Sequence, residues 1–158
     1  MKEIPLTQGK LAIVDDEDYV WLSQFNWHAV GNYAVRRVRL NPPINGLRQG
    51  VQFMHRVIME APHGVLIDHR NRNPLDNRRC NLRFATVSQN LMNMRKADAK
   101  RSRYKGVAYG KEGWQSQIMK DGQSRWLGYF ASEIEAARAY DAAARELFGE
   151  FAFLNFEG

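Results

Sequence analysis

The sequence predicts an α+β protein in two parts, residues 1–94 and 104–158, joined by a basic segment at 95–103. Two observations support this prediction. Residues 64–94 have the pattern strand, polar loop, strand, helix. Residues 104–148 have three strand-like runs followed by one alanine-rich helix, which indicates a small antiparallel sheet packed on one helix. The two parts therefore differ in architecture.

The first 60 residues predict short strands and one short helix. The predicted strands are runs of apolar or β-branched residues at 10–14, 27–30 and 33–40, while 51–59 fits either a strand or a helix. The predicted helix covers 19–25 and follows the acidic cluster 15–18, which we interpret as an exposed first turn rather than a metal site. Gly31-Asn32 indicates a hairpin turn, and the Asn- and Pro-rich residues 41–46 predict a loop.

Residues 64–94 predict a compact core unit. The apolar run 65–67 ends at Asp68-His69, a polar stretch follows, and a second strand is predicted at 82–85. Thr86 begins a capping-box pattern, which predicts a short helix from Val87 to about Met94. Cys80, the single cysteine, lies in the polar stretch and is expected to be a small buried residue.

The C-terminal part predicts strands at about 105–109, 114–120 and 124–129, with a hairpin turn at Asp121-Gly122. Ser132 and Glu135 form a second capping-box pattern, and the helix after it is expected to run to about Phe148. Its alanines provide a smooth face for packing on the sheet. Gly149 suits the position after the helix.

The charge of the chain favours a polyanionic partner. The net charge is +6 and the pI about 9.7. Residues 94–103 hold five basic residues and one acidic residue, whereas residues 104–158 hold six basic and eight acidic residues. A basic segment of this kind neutralises backbone phosphates, with a solvated linker as the alternative. The lone cysteine, the lack of a membrane-spanning apolar run and the polar N-terminus predict a cytoplasmic protein.

Asp68, His69 and Asn90 have the chemistry needed for phosphodiester hydrolysis. A histidine can take the proton of a water molecule, and a divalent cation can stabilise the departing oxygen. Both adjacent residues can flank one phosphate only where the strand ends or bends. A site of one carboxylate, one amide and several waters suits Mg²⁺ more than Zn²⁺.

The run DHRNRNPLDNRRCNLRFATVSQNLMN resembles the HNH homing endonucleases of phages, and the likeness extends upstream through MHRVIMEAPHGVLI. The resemblance implies a ββα-metal core at about 64–94 within a nuclease domain at 1–94. It implies that His69 is the general base, that Asp68 and Asn90 bind Mg²⁺ (or Mn²⁺), and that Asn81 holds the loop and orients His69. It also implies a phage protein that acts in the bacterial host cytoplasm.

Several neighbours of this core have two interpretations. His55 is a candidate phosphate contact, with a structural histidine as the alternative, and His63 and His28 are expected to be structural or exposed. Asp76 and Asn77 are expected to shape the loop, with a water-mediated contact to the metal as the alternative. The arginines of the core are expected to bind phosphates, although some of them are ordinary surface charges; these arginines are Arg70, Arg72, Arg78, Arg79 and Arg83.

The C-terminal residues resemble the AP2 domain of plant transcription factors. The matching pieces are SRYKGVAY, GWQSQI, RWLGYF, EAARAYDAAARELFG and AFLNF. The resemblance implies that the sheet lies in the DNA major groove and that Lys105, Trp126 and Tyr140 contact DNA. Because several contact positions differ from the family, base specificity does not carry over. Gln115 and Gln117 are candidates to recognise adenine, and Trp114 is either core or contact.

The predicted DNA-contacting residues are basic, amide or aromatic side chains of the core, the basic segment and the C-terminal strands and helix. They are Arg70, Arg72, Arg83, Arg95, Lys96, Lys100, Arg101, Arg103, Lys105, Lys111, Gln115, Gln117, Arg125, Trp126 and Tyr140.

The sequence thus predicts a metal-dependent endonuclease of double-stranded DNA, a monomer or homodimer that does not associate with membranes. The alternative is a non-catalytic DNA-binding regulator on a degenerate nuclease scaffold. A third hypothesis, an RNA-binding accessory protein, is supported only by the charge of the chain. The target sequence, nicking as against double-strand cleavage, and homing as against another phage function are left open.

Overall fold

The computed structural model describes residues 1–95 and 102–156. The chain divides into two compact units, Met1–Ala85 and Thr86–Gly158. Both mix short strands and helices, so the predicted α+β class is confirmed. Among the described residues, no helix is both long and apolar enough to cross a membrane.

The first unit contains seven strands and two α-helices in its described residues. In chain order they are β1 (Lys2–Pro5), β2 (Leu11–Val14), α1 (Asp16–Leu22), β3 (His28–Val30), β4 (Tyr33–Ile44), β5 (Leu47–Phe53), α2 (Met54–Ile58), β6 (Leu66–His69) and β7 (Leu82–Ala85). They form two hairpins, β1–β2 and β6–β7, and a three-stranded sheet of order β3-β4-β5. All of the pairings are antiparallel.

One hydrophobic cluster holds the first unit together. It takes buried side chains from both hairpins, from the three-stranded sheet and from both helices; they include Ile4, Val14, Leu22, Trp27, Ala34, Met54, Ile58 and Leu82. The indole N–H of Trp27 donates to the carbonyl oxygen of Leu22 at 2.9 Å, so the buried ring has its hydrogen bond satisfied. Because Leu82 begins β7, the cluster also fixes the hairpin that carries Asp68 and His69.

Three local predictions need correction. Residues 41–44 are not a loop, because β4 continues to Ile44 and the turn falls at Asn45-Gly46. The pairing steps from Arg39–Gln49 directly to Ile44–Leu47, so the two prolines lie in an irregular stretch that needs no ladder N–H. Cys80 is exposed, not buried. Residues 51–59 contain both a strand and a helix, since β5 ends at Phe53 and α2 begins at Met54.

The second unit contains three strands and two α-helices in its described residues: α3 (Val87–Asn93), β8 (Val107–Gly110), β9 (Gly113–Lys120), β10 (Gln123–Phe130) and α4 (Glu133–Phe148). The strands form an antiparallel sheet of order β10-β9-β8, and α4 packs on it. Both predicted capping boxes are present, at Thr86 and Gln89 for α3 and at Ser132 and Glu135 for α4. The sheet and the helix behind it are as the sequence predicts.

The alanine face of α4 lies close to the sheet. Ala136 and Ala137 are fully buried and pack with Val107 of β8. Trp114 packs against this cluster, which agrees with the core interpretation of that residue. Gly106 has a φ of +76°, and a Cβ there would lie 2.7 Å from the carbonyl oxygen of Gln117 and closer still to the Tyr140 ring. Glycine at 106 therefore allows the backbone to pass directly over Tyr140.

Replacing Gly106 by alanine is expected to destabilise the protein by about 2–5 kcal/mol, since the new methyl group adds overpacking to backbone strain. Gly122→Ala is the matched control. Its φ is +79° but nothing lies within 4 Å of the new Cβ, so only strain of about 1 kcal/mol is expected. Urea unfolding of both variants tests the contact, and equal losses of stability would contradict it.

Candidate functional site

Asp68 and His69 end β6 and are buried, with 5 % and 6 % of their surfaces exposed. In the hairpin with β7, Asp68 lies opposite Arg83 and His69 lies opposite Leu82. Arg83 donates from Nε and Nη2 to Asp68 Oδ2 at 2.8 and 2.6 Å. The guanidinium of Arg83 is itself buried, so this is an ion pair that holds the Asp68 carboxylate in place.

His69 lies against an aromatic cluster from the first unit. Its ring centroid is 5.1 Å from that of His55 and 6.3 Å from that of Tyr33, and Phe53 in turn contacts His55. His69 Nε2 is 3.5 Å from Asn77 Oδ1. Burial lowers the pKa of His69, against opposing effects of the Asn77 hydrogen bond and of the Asp68 and Asp76 carboxylates. The imidazole is therefore neutral near pH 7.

His55, the candidate phosphate contact, is 8 % exposed. Burial, with added repulsion from His69 and Arg56, lowers the pKa of His55 to about 3. A neutral, enclosed ring fits the structural alternative better than it fits a phosphate contact. The next residue, Arg56, donates to the carbonyl oxygens of Val65 and Pro62 at 2.6 and 2.7 Å, which holds the chain just before β6.

Asn81 bonds to the polar loop between β6 and β7. Its Oδ1 accepts the N–H of Asn71 at 2.9 Å, and its Nδ2 donates to Asn71 Oδ1 at 3.0 Å and to the carbonyl oxygen of Asp76 at 2.7 Å. Asn77 is also tied down, because its N–H donates to the carbonyl oxygen of Ile13 in β2 at 2.7 Å. These bonds support the prediction that Asn81 holds the loop in shape.

Asp76 is buried in this loop. It accepts Arg78 Nε at 2.8 Å and Asn71 Nδ2 at 2.7 Å, and the hydrogen bond from Arg78 is the main reason that the pKa of Asp76 is lowered. The loop-forming interpretation of Asp76 agrees with these contacts. Arg78, expected to bind phosphate, is engaged here with a carboxylate of its own loop.

The acidic cluster 15–18, at the start of α1, is not wholly exposed, which corrects the prediction. Asp18 is 3 % exposed and accepts two hydrogen bonds from Arg79, at 2.8 Å each. Asp15 accepts the N–H of Arg79 at 2.8 Å. The cluster thus fixes the short turn that leads into β7, a contact across 61 residues that local sequence cannot reveal.

Asn90, the other predicted metal ligand, lies on α3 in the second unit and is half-buried. Its N–H donates to the carbonyl oxygen of Thr86 at 3.0 Å. The C-terminus of α3 is held within the same unit. The Lys105 ammonium donates to the carbonyl oxygens of Leu91, Met92 and Met94, at 3.1, 2.7 and 2.8 Å.

The face of the sheet turned away from α4, which we call the open face, carries neutral side chains. Residues opposite one another in an antiparallel pair share a face. Gln117 pairs with Trp126, Gln115 with Tyr129 and with Ala108, and Met119 with Ser124. Trp126 is 49 % exposed, and its ring lies 4.9 Å from the Tyr129 ring. Gln115, Gln117 and Trp126 therefore share one face.

Other predicted DNA contacts lie elsewhere in the second unit. Arg125 pairs with Ile118 on the α4 side of the sheet and forms an exposed ion pair with Glu146 at 3.1 Å. Tyr140 is 3 % exposed, and burial raises its pKa, so its phenol is protonated. Lys105 caps α3. Lys111 is exposed between β8 and β9.

The remaining predicted contacts fall into three groups. Four are exposed arginines of the described chain, namely Arg70, Arg72, Arg95 and Arg103. Three lie outside the described residues, namely Lys96, Lys100 and Arg101. Arg83 differs from the first group, because it is buried with Asp68 and not presented on the surface.

Sequence reasoning missed Arg83 as the partner of Asp68, and Tyr33 and Phe53 as neighbours of the histidines. The predicted hairpin implied that some residue of the second strand lies opposite Asp68. The sequence did not show that this residue is Arg83, because the long loop left the register of the two strands undetermined. Tyr33 and Phe53 come from another sheet, so they left no signal near His69.

Comparisons with known proteins identify two kinds of relative, which match different parts of the chain. The HNH endonuclease family profile matches residues 52–92. An uncharacterized HNH endonuclease of Acanthamoeba polyphaga mimivirus is 30% identical over 143 residues, which cover 87% of this chain and 74% of that protein. The chain carries an AP2/ERF-like region as well. An AP2/ERF and B3 domain-containing transcription repressor of Arabidopsis thaliana is 46% identical over 57 residues, 35% of this chain and 16% of the repressor. A dehydration-responsive element-binding protein of Oryza sativa subsp. indica is 43% identical over 58 residues, 20% of its length.

Acid should destabilise the protein partly through His55. The folded chain keeps this ring neutral, with a pKa of about 3, whereas the unfolded chain takes up a proton near 6.5. Stability is therefore full above pH 6.5 and falls toward pH 3, by at most about 1.4 kcal/mol per pH unit from this ring. In urea unfolding at several pH values, His55→Phe should flatten this acid limb. His63→Phe, at an exposed turn, should leave it unchanged. An acid limb of the same slope in His55→Phe would contradict the role of this ring.

Removing Arg83 should be far more costly than removing Arg125. Arg83→Met takes two hydrogen bonds from a buried carboxylate, and the expected loss of stability is about 3–5 kcal/mol. Arg125→Met breaks an exposed pair, for which less than about 1 kcal/mol is expected. Urea unfolding at neutral pH compares the two variants. Similar small losses would show that Asp68 does not depend on Arg83.

Proposed function

We propose, from the premise that this chain belongs to the HNH endonuclease family, that it hydrolyses phosphodiester bonds of double-stranded DNA with a divalent metal ion. The observation that carries the proposal is the burial of Asp68 and His69 side by side at the end of β6, within the segment that the family profile matches. Their environment supplies what each role requires.

His69 is proposed as the general base. A base must be neutral before it accepts a proton, and burial lowers the pKa of His69 below its ordinary value. An acceptor oxygen at 3.5 Å from Nε2, Asn77 Oδ1, favours the tautomer with its proton on that nitrogen. The lone pair then lies on Nδ1, where it can take the proton of an attacking water molecule. Asn81 acts indirectly, by holding the loop that contains Asn77.

Asp68 is proposed as a metal ligand. Two hydrogen bonds from Arg83 to Oδ2, at 2.8 and 2.6 Å, hold the carboxylate in a fixed orientation. With the amide oxygen of Asn90 and waters, a carboxylate provides the hard oxygen donors that Mg²⁺ or Mn²⁺ prefers. Such an ion would stabilise the negative charge on the phosphate and on the departing 3′ oxygen. The products should then carry 5′-phosphate and 3′-hydroxyl ends.

The AP2-like region is proposed to hold the enzyme on its DNA. Gln115, Gln117 and Trp126 share the open face, and amide side chains can form paired hydrogen bonds with adenine. Two of the plant relatives that match this region are named as a transcription repressor and as a dehydration-responsive element-binding protein. In this proposal the second unit positions the enzyme on DNA, and Asp68 and His69 of the first unit carry out the hydrolysis.

The proposal predicts metal-dependent cleavage. Wild type should convert supercoiled plasmid or phage DNA to nicked or linear form in Mg²⁺ or Mn²⁺ and should be inactive in EDTA. His69→Ala should lower the rate at least about 100-fold, because a general base contributes about 10²–10⁴-fold. His63→Ala, which changes an exposed histidine, should cleave at the wild-type rate.

The form of the product distinguishes nicking from double-strand cleavage. If wild type binds DNA but never cuts it in either metal, the non-catalytic regulator is the correct function. If His69→Ala cuts as fast as wild type, the protein is a nuclease but His69 is not its base.

A further inference from the structure

Beyond the core of the first unit, strands β4 and β5 continue as a two-stranded arm. We call residues 36–52 the β4–β5 ribbon. At its base, Val35 is fully buried and pairs with Phe53, and most of the residues beyond that pair are exposed. The nine residues 36–44 of β4 span roughly 30 Å at about 3.3 Å per residue. The ribbon is therefore long enough to contact a macromolecule.

The ribbon is basic and lacks acidic residues. No aspartate or glutamate occurs from residue 19 to residue 59, a stretch that holds five arginines. Four of these arginines, Arg36, Arg37, Arg39 and Arg48, lie in the ribbon. The net charge of residues 1–50 as a whole is small, because that segment also contains five acidic residues. All five precede residue 19, so they lie outside the ribbon.

Arg36 has a structural role at the base of the ribbon. Its guanidinium lies 3.8 Å from the centre of the Phe25 ring and 5.4 Å from that of Trp27. It also donates from Nε and Nη2 to Gln52 Oε1, at 3.0 and 2.8 Å. These contacts anchor the ribbon on the unit and leave recognition to the three arginines beyond.

Arg37, Arg39 and Arg48 are exposed. In the described parts of the chain, no acidic side chain forms an ion pair with any of them. Arg37 and Arg39 lie opposite Val51 and Gln49, so these two share one face, and Arg48 belongs to the other. Arginines on both faces suit a partner that surrounds the ribbon rather than one flat surface.

Two surface clefts border the ribbon, and both are lined by Arg39 and Arg48. One, of about 490 Å³, also has Arg37 and Gln49 in its wall, and the other, of about 550 Å³, is walled further by Asn41 and Pro43. Guanidinium groups at the mouth of a cleft bind phosphate oxygens in pairs. Clefts lined by two or three arginines therefore suit the phosphate groups of a nucleic acid backbone.

We propose that the β4–β5 ribbon is a second DNA-binding element, which grips the phosphates of duplex DNA through Arg37, Arg39 and Arg48. This inference rests on the proposed function. A two-stranded ribbon fits the major groove of B-DNA, about 12 Å wide, whereas the major groove of duplex RNA is too narrow for side chains to read. The open face of the C-terminal sheet is neutral, so the ribbon supplies phosphate contacts that this face lacks.

The test compares two variants with the same change of charge. Arg39→Gln with Arg48→Gln removes two ribbon cations, and Arg138→Gln with Arg145→Gln removes two exposed arginines of α4. Binding to duplex DNA is measured by fluorescence anisotropy in EDTA over a range of salt concentrations. Two lost phosphate contacts should reduce the slope of log K against log salt by about 1.8 and the affinity at least about tenfold. The α4 variant should bind like wild type.

Arg39→Lys with Arg48→Lys keeps both charges and should restore most of the salt slope. Thermal unfolding of each variant reports whether the fold is intact. The ribbon proposal is overturned if the glutamine variant keeps the wild-type slope, if the α4 variant loses as much, or if only binding to duplex RNA falls. Parallel reactions in Mg²⁺ test the nuclease separately. If wild type binds DNA without cutting it, the proposed function is wrong, and the salt slope still decides the ribbon.

Discussion

The buried pair between Asp68 and Arg83 is the constraint on which the candidate active site depends. A carboxylate at the end of a strand inside the protein requires a cation beside it, and β7 provides one directly opposite. A shift of the register by one residue would turn Arg83 to the other face and leave the carboxylate without that partner. The pair thus fixes the register of the hairpin, which in turn places His69 beside its aromatic neighbours.

The loop between the two strands depends on the same register. Asn81 comes immediately before β7, and its amide ties Asn71 to the backbone of Asp76, while the N–H of Asn77 reaches across to β2. A long polar loop would ordinarily be mobile, and these amide hydrogen bonds satisfy its buried groups instead. His69 is neutral because it is enclosed. Burial lowers the pKa of its ring by more than the Asn77 hydrogen bond and the nearby carboxylates raise it.

Local patterns predicted most of the secondary structure and the position of Asp68 and His69 at the end of a strand, and they failed where partners are distant. The capping boxes at Thr86 and Ser132 and the turn at Asp121-Gly122 are short-range signals, and the structure has each of them. The ion pair of Asp18 with Arg79 joins residues 61 positions apart, and the extension of β4 through two prolines depends on its pairing with β5. No local periodicity encodes those features. The four arginines of the ribbon can be counted in the sequence. The sequence alone does not show that they lie on one exposed pair of strands.

The hydrogen bonds from the Lys105 ammonium to the last carbonyl oxygens of α3 determine where the chain can be divided without loss of contacts. The family profile extends to residue 92, so homology assigns α3 to the nuclease, yet its end is held by Lys105 and by the N–H of Phe153, which donates to the Met92 carbonyl. A chimera with its junction in the basic segment would separate Lys105 from the three carbonyl oxygens that accept its hydrogen bonds. The C-terminus of α3 would then lose its cap. A junction near Thr86 would keep α3 together with the lysine and the backbone N–H that hold its end.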